Sequence, residues 1–132
     1  MTRLLTITLC SAILLAVEVK AQETVVLEYG KCDIMKIDDL RQQADSVWFP
    51  TAQELVKEGK FSYVQVLEAE MADEWNVVWY YRAKDYDTFW SAYQEWGNRV
   101  TAKHPEAGWE YNHNCPEWRR FSYTSTVQTE MP

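Results

Sequence analysis

Residues 76–83, NVVWYYRA, place large apolar side chains next to one another in a short β-branched and aromatic run that reads as a strand. Successive side chains of a strand leave on opposite faces, so Val77, Trp79 and Tyr81 line one face while Val78 and Tyr80 line the other. The same two-sidedness recurs in TVVLEY (24–29) and FSYVQVLEAE (61–70). A sheet with helices on one side and water on the other alternates apolar with polar. These strands do not alternate, so both faces need a cover.

Helical patterns fall between the strands. From Asp38-Asp39 onward, Leu40, Ala44, Val47, Trp48, Thr51 and Leu55 recur on one helical face. Pro50 interrupts that pattern and predicts a kink or two abutting helices, with Pro50 in the first turn of the second. Gly59 marks its end. Asp85 caps a second helix that carries Tyr86, Phe89, Trp90, Tyr93, Trp96 and Val100, with Arg99, Lys103 and His104 in its last turn and Pro105 after it. A glycine-containing loop is expected next, then a fourth strand over 117–126, EWRRFSYTST, and a loose polar tail.

The order β-α-β-β-α-β is the split βαβ, or ferredoxin-like, plan. Right-handed crossovers then give an α+β domain: a four-stranded antiparallel sheet of order 4-1-3-2 with two helices on one face. In that topology the end of strand one lies beside the start of strand four. Cys32 and Cys115, far apart in the chain, therefore meet, and a structural disulfide is expected. The corner NHNCPEW (112–118) then reads as a staple. A metal site there is not expected, because a structural zinc needs four ligands and paired cysteines leave only His104 and His113.

Residues 1–21 carry Arg3, an apolar run over 4–17, and Val19-Lys20-Ala21 before polar Gln22-Glu23. That run is too short to span a bilayer and reads as a signal peptide removed after Ala21, which implies a periplasmic or secreted protein in a disulfide-permitting compartment. Residues 22–132 form a single domain, ordered over about 24–126, with no stable membrane span. With 13 Lys and Arg against 20 Asp and Glu, the chain is a poor grip for phosphate backbones, so nucleic acid is excluded as a partner. Arg119-Arg120, the one basic cluster, reads as a solvated strand face.

A domain of this length has nothing left to cover the second sheet face. A second copy, packed face to face about a two-fold axis, is the economical cover and predicts a homodimer with a barrel-like core. In this order, length and two-sidedness the chain resembles the dimeric α/β-barrel superfamily, the likeness being carried by WFPTAQELVKEGKFSYVQVLEAEMADEWNVVWYYRAKDYDTFWSAY (48–93). Antibiotic-biosynthesis monooxygenases, NIPSNAP-like and EthD-like proteins and haem-degrading monooxygenases belong to that group. The resemblance implies a dimeric ferredoxin-like barrel. The haem-degrading members use an asparagine, a tryptophan and a histidine; Asn76 and Trp79 lie in a strand, but no histidine matches, and the triad is not carried over. No cofactor is implied, and a fold does not fix an activity.

Seven tryptophans, eight tyrosines and four phenylalanines exceed what a small core needs. They fit either core and dimer interface or an aromatic-lined cavity for a small apolar or aromatic ligand. The expected lining is Trp48, Tyr63, Trp79, Tyr81, Phe89 and Trp90, with Gln65, Asn76 and Arg82 as polar contacts. A binding protein, a cofactor-free monooxygenase or isomerase-like enzyme, and a structural or interaction module all remain open. For an enzyme, His104, Glu68 or Glu70 is the candidate base.

Overall fold

The computed structural model describes residues 22–69 and 74–124, apart from the side chains of residues 109 and 110. The expected signal segment 1–21, Glu70 and the polar tail lie outside the described residues. The strands are β1 (Thr24–Lys31), β2 (Tyr63–Glu68), β3 (Val77–Ala83) and β4 (Glu117–Thr124). They form one antiparallel sheet of order β2-β3-β1-β4, the expected order read from the other edge.

Strand periodicity sorts the sheet. Thr24, Val26, Glu28 and Gly30 of β1 and Val77, Trp79, Tyr81 and Ala83 of β3 are buried beneath the helices. Their alternating neighbours, including Leu27, Tyr29, Val78 and Tyr80, line the opposite face and stay partly open, with Phe121 and Tyr123 of β4 more exposed still. One sheet face is therefore core, and the other is an apolar surface.

The first helical stretch is split as Pro50 predicts. Helix α1 (Ile37–Gln43) runs through a wide π-turn (Ala44–Trp48) into α2 (Phe49–Lys57), which has Pro50 in its first turn. Proline lacks the N–H that an α-helical turn would donate at this point, and the backbone accommodates the loss by widening. Gly59 adopts φ 74°, the left-handed conformation that ends helices. Helix α3 (Tyr86–Lys103) begins at Asp85, whose carboxylate accepts from the Thr88 N–H at 2.7 Å. Phe89, Ala92, Trp96 and Val100 are its buried face, whereas Tyr86 and Trp90 lean outward.

One expectation fails. The loop after Pro105 is instead a helix, α4 (Ala107–Asn114). Its own periodicity is weak, but Ala107, Tyr111 and the following Cys115 are buried at four-residue spacing. Its end is tied down, since the Asp33 N–H donates to the Asn114 carbonyl at 2.9 Å and Cys32 is disulfide-bonded to Cys115 across a sequence separation of 83. NHNCPEW is thus the last turn of a helix, its staple and the entry to a strand. Among the described residues no helix is long and apolar enough to cross a membrane.

Candidate functional site

The side chains under the helices leave a cavity of about 190 Å³. Its floor is the sheet, through Glu28 of β1, Trp79 and Tyr81 of β3 and Trp118 of β4. Its walls are Trp48 of the π-turn, Tyr93 and Trp96 of α3, and Tyr111 of α4. Gly97 and Gly108 also line it, and an added Cβ at either would meet nothing within 4 Å. Two missing side chains help to keep the space open.

The wall is held by aromatic contacts and indole hydrogen bonds. Trp79 Nε1 donates to Tyr111 Oη at 2.7 Å, and Trp96 Nε1 donates to the Trp48 carbonyl at 3.0 Å. Trp96 meets Trp79 and Trp48 edge-on, at centroid distances of 5.1 and 5.3 Å. Trp118 stacks on Tyr111 at 5.5 Å, and its benzo edge lies directly over Gly30, where a Cβ would come within 2.7 Å of the ring. Gly30 is needed for that close approach.

A buried carboxylate lies at the bottom. Glu28 is 7% exposed and accepts from the Tyr81 hydroxyl at 3.1 Å, the Tyr93 hydroxyl at 3.1 and 3.2 Å, and Arg120 Nη2 at 2.5 Å. Arg120 also lies over the Tyr93 ring at 4.4 Å and the Trp90 ring at 5.4 Å. Burial, reinforced by the Glu28 charge, raises the pKa of both the Tyr81 and Tyr93 phenols, so they stay protonated as donors. Burial, the largest single effect, acts to lower the Arg120 pKa, but the charge and hydrogen bond of Glu28 and the neighbouring Tyr93 and Tyr81 together outweigh it, and the net shift is upward. The result is a charge-balanced polar cluster inside an aromatic shell.

Sequence reasoning named part of this site. Trp48, Trp79 and Tyr81 line the cavity as expected. Phe89 is buried in the core beside Tyr81 rather than in the lining, and Trp90 is 40% exposed. Tyr63 and Gln65 project from the other sheet face, where the Tyr63 hydroxyl donates to the Gln65 side chain at 3.1 Å. Asn76 serves as a clip: its Oδ1 accepts from the Cys32 N–H at 2.9 Å and its Nδ2 donates to the Cys32 carbonyl at 2.8 Å. Arg82 is ion-paired with Glu23 and Glu68 with Arg41, outside the cavity. His104 lies at the exposed end of α3, beside a surface groove with Asp39 and Ser46 and away from the aromatic cavity. Among the described residues no group of three or more His, Cys, Asp or Glu converges as a metal shell would require.

Glu28, Tyr93, Trp96, Tyr111, Trp118 and Arg120 were missed. Glu28 carried a readable signal, because strand alternation places it on the same face as Val26. Arg120 was read as solvated, yet only Arg119 is; Arg120 sits on the helix side, opposite Glu28 in the β1–β4 register.

No protein-family model matches the chain, and no curated protein matches its sequence. Solved structures do share the fold. A dimeric ferredoxin-like protein from an uncultured marine organism superposes with a TM-score of 0.64 at 7% identity, over 86% of this chain and 95% of that one. A NIPSNAP domain protein from Burkholderia xenovorans superposes with a TM-score of 0.60 at 8% identity, over 82% of this chain and 99% of that one. The ActVA-Orf6 monooxygenase of Streptomyces coelicolor, in complex with Nanaomycin D, gives 0.55 at 13% identity, over 85% and 94%. These likenesses establish the ferredoxin-like fold.

Proposed function

We propose that the protein is an exported homodimer that binds a small apolar or aromatic molecule in the cavity under its helices. The observation that carries this reading is the aromatic cavity of about 190 Å³ itself, with the buried Glu28 cluster at its base. An engineered apolar cavity of about 150 Å³ takes benzene, so the space suits a guest of one or two rings. The Cys32–Cys115 bridge supports export to an oxidising compartment. The apolar second face of the sheet, together with the dimeric ferredoxin-like neighbours, supports pairing of two copies through Leu27, Tyr80 and Phe121.

The test is native mass spectrometry of protein isolated from its own compartment, followed by calorimetric titration with one- and two-ring aromatics. Retained small-molecule mass and saturable binding are expected, and Gly97→Leu should abolish both by filling the cavity while leaving the helix intact. Binding unchanged in Gly97→Leu refutes the site. Sedimentation should show a dimer that Leu27→Lys with Tyr80→Lys separates; a wild-type monomer at high micromolar concentration refutes the pairing.

A second reading rests on the similarity in fold to a monooxygenase in complex with Nanaomycin D. In it the bound molecule is also a substrate, and oxygen-dependent turnover of the retained molecule would select it.

A further inference from the structure

A second cavity, of about 250 Å³, lies between the sheet and α1. Among the described residues, Tyr111 is the one that lines both cavities. Val77 lines the second and Trp79 the first, and they are alternate residues on one face of β3, about 7 Å apart. Val66, opposite Trp79 in the β2–β3 register, belongs to the second. Above them, Ala44 and Trp48 begin and end the same π-turn and line the second and the first cavity respectively. The sheet, the π-turn and α4 therefore run from one space into the other, and Tyr111 stands between the two.

The two walls differ in chemistry. The first is aromatic, whereas Ile37, Leu40, Ala44, Val66 and Val77 make the second largely aliphatic. Ile37, Arg41 and Glu68 also line a surface groove beside the exposed Ile34 and Met35, so the second cavity leads outward. Arg41 bridges that end with hydrogen bonds to Glu68 at 2.6 and 3.0 Å and to Asp38 at 2.7 Å. Asp45 lines it too, so carboxylates outnumber the guanidinium and an anionic guest is disfavoured. Tyr111 itself is latched by one hydrogen bond, from Trp79 Nε1 at 2.7 Å.

Resting on the cavity reading above, we infer that the two spaces are one channel gated by Tyr111, and that its ligand is an elongated, uncharged molecule with a ring at one end and an aliphatic chain. The ring lies among the aromatic side chains of the first cavity. The chain passes Tyr111 into the aliphatic compartment, and opening that gate breaks the bond to Trp79.

The test titrates benzyl alcohol, phenylbutanol, phenylhexanol and phenylhexanoate, each a straight chain ending in a ring, calorimetrically into the full folded protein. In wild type, phenylhexanol should bind about tenfold tighter than phenylbutanol, the worth of two buried methylenes. Phenylhexanoate should bind more weakly than phenylhexanol. Tyr111→Phe keeps the ring but removes the latch, so it should tighten phenylhexanol about fivefold and leave benzyl alcohol unchanged. Ala44→Leu fills the aliphatic compartment and should abolish the gain with chain length, while benzyl alcohol binding reports an intact first cavity. Val66→Phe fills the same space from the sheet side if Ala44→Leu does not fold. Wild-type affinity that fails to rise from benzyl alcohol to phenylhexanol overturns the inference and leaves the first cavity standing. So does a gain that survives filling of the second compartment, a preference for phenylhexanoate, or a Tyr111→Phe protein that does not favour phenylhexanol over benzyl alcohol more than wild type does. Failure of every probe to bind removes the cavity reading, and the inference with it.

Discussion

Glu28→Gln is the most informative single perturbation. It preserves shape and volume, but it replaces one carboxylate oxygen with an amide group that can only donate, facing three donors. One of them must lose its acceptor. A buried hydroxyl left unsatisfied, here that of fully buried Tyr81, costs about 1–3 kcal/mol. An unpaired buried cation costs about 3–5 kcal/mol. Arg120 retains 27% side-chain exposure, which reduces its share to about 2 kcal/mol. Together the substitution should cost about 3–5 kcal/mol, a large fraction of the 5–15 kcal/mol typical of a domain. Arg120→Met alone should cost about 2–3 kcal/mol, because it leaves the carboxylate with only its two phenols. The double variant removes both charges and should fall about 2 kcal/mol short of the sum. Urea denaturation at one fixed protein concentration, needed because a dimer's stability depends on concentration, reads these differences from midpoints at constant slope. If Glu28 is held neutral, or if the cluster contributes nothing, Glu28→Gln will lie within about 0.5 kcal/mol of wild type and the two substitutions will add. Either result would refute the charge-paired account of the cavity floor.

Gly30→Ala should destabilise by about 1–3 kcal/mol through overpacking, because its Cβ would sit 2.7 Å from the Trp118 ring; thermal melting and a shifted tryptophan emission maximum check this together. Replacing Cys32 and Cys115 with serine together should lower stability by about 4 kcal/mol in the chain-entropy account, measured against the oxidised protein in urea. At the surface, hydrogen bonds from Arg99 and Lys60 pull the Glu58 carboxyl down to about 2. Because this folded value lies below the usual one, the stabilising pairing is complete above the ordinary carboxylate range and is lost as pH falls toward 2. Carboxyl-detected NMR should show that titration, and Arg99→Gln should move it upward; a Glu58 midpoint near 4 in wild type would contradict the ion-pair geometry.

Legibility followed the range of the forces involved. The break at Pro50, the stop at Gly59 and the cap at Asp85 arise within a few residues of chain, and a sequence carries them openly, although the π-turn that makes the break is seen only in the structure. Helix α4 was not legible, because its weak pattern is stabilised by the Asp33 bond, the disulfide and the burial of Tyr111, all supplied by distant segments. The cavity was half legible. Trp48, Trp79 and Tyr81 were identifiable as aromatics on buried faces, whereas Tyr63, Gln65 and Asn76 have the same residue chemistry but the wrong face or a local duty. Glu28 could have been found by treating a lone carboxylate on the Val26 face of a central strand as buried and then seeking its cation across the β1–β4 pair.

Alternation along the strands, helical spacing and the handedness of crossovers were enough, before any coordinates, to specify the sheet order, the meeting of Cys32 with Cys115 and the presence of a second apolar face. Those follow from covalent geometry and near-neighbour sterics, which every residue carries with it. Tertiary packing alone decided that Arg120 turns inward to Glu28, that Trp118 lies over Gly30, and that Gly97 and Gly108 leave room beneath α3 and α4. A cavity is defined by the side chains that fail to meet, and only the assembled layers reveal which ones those are.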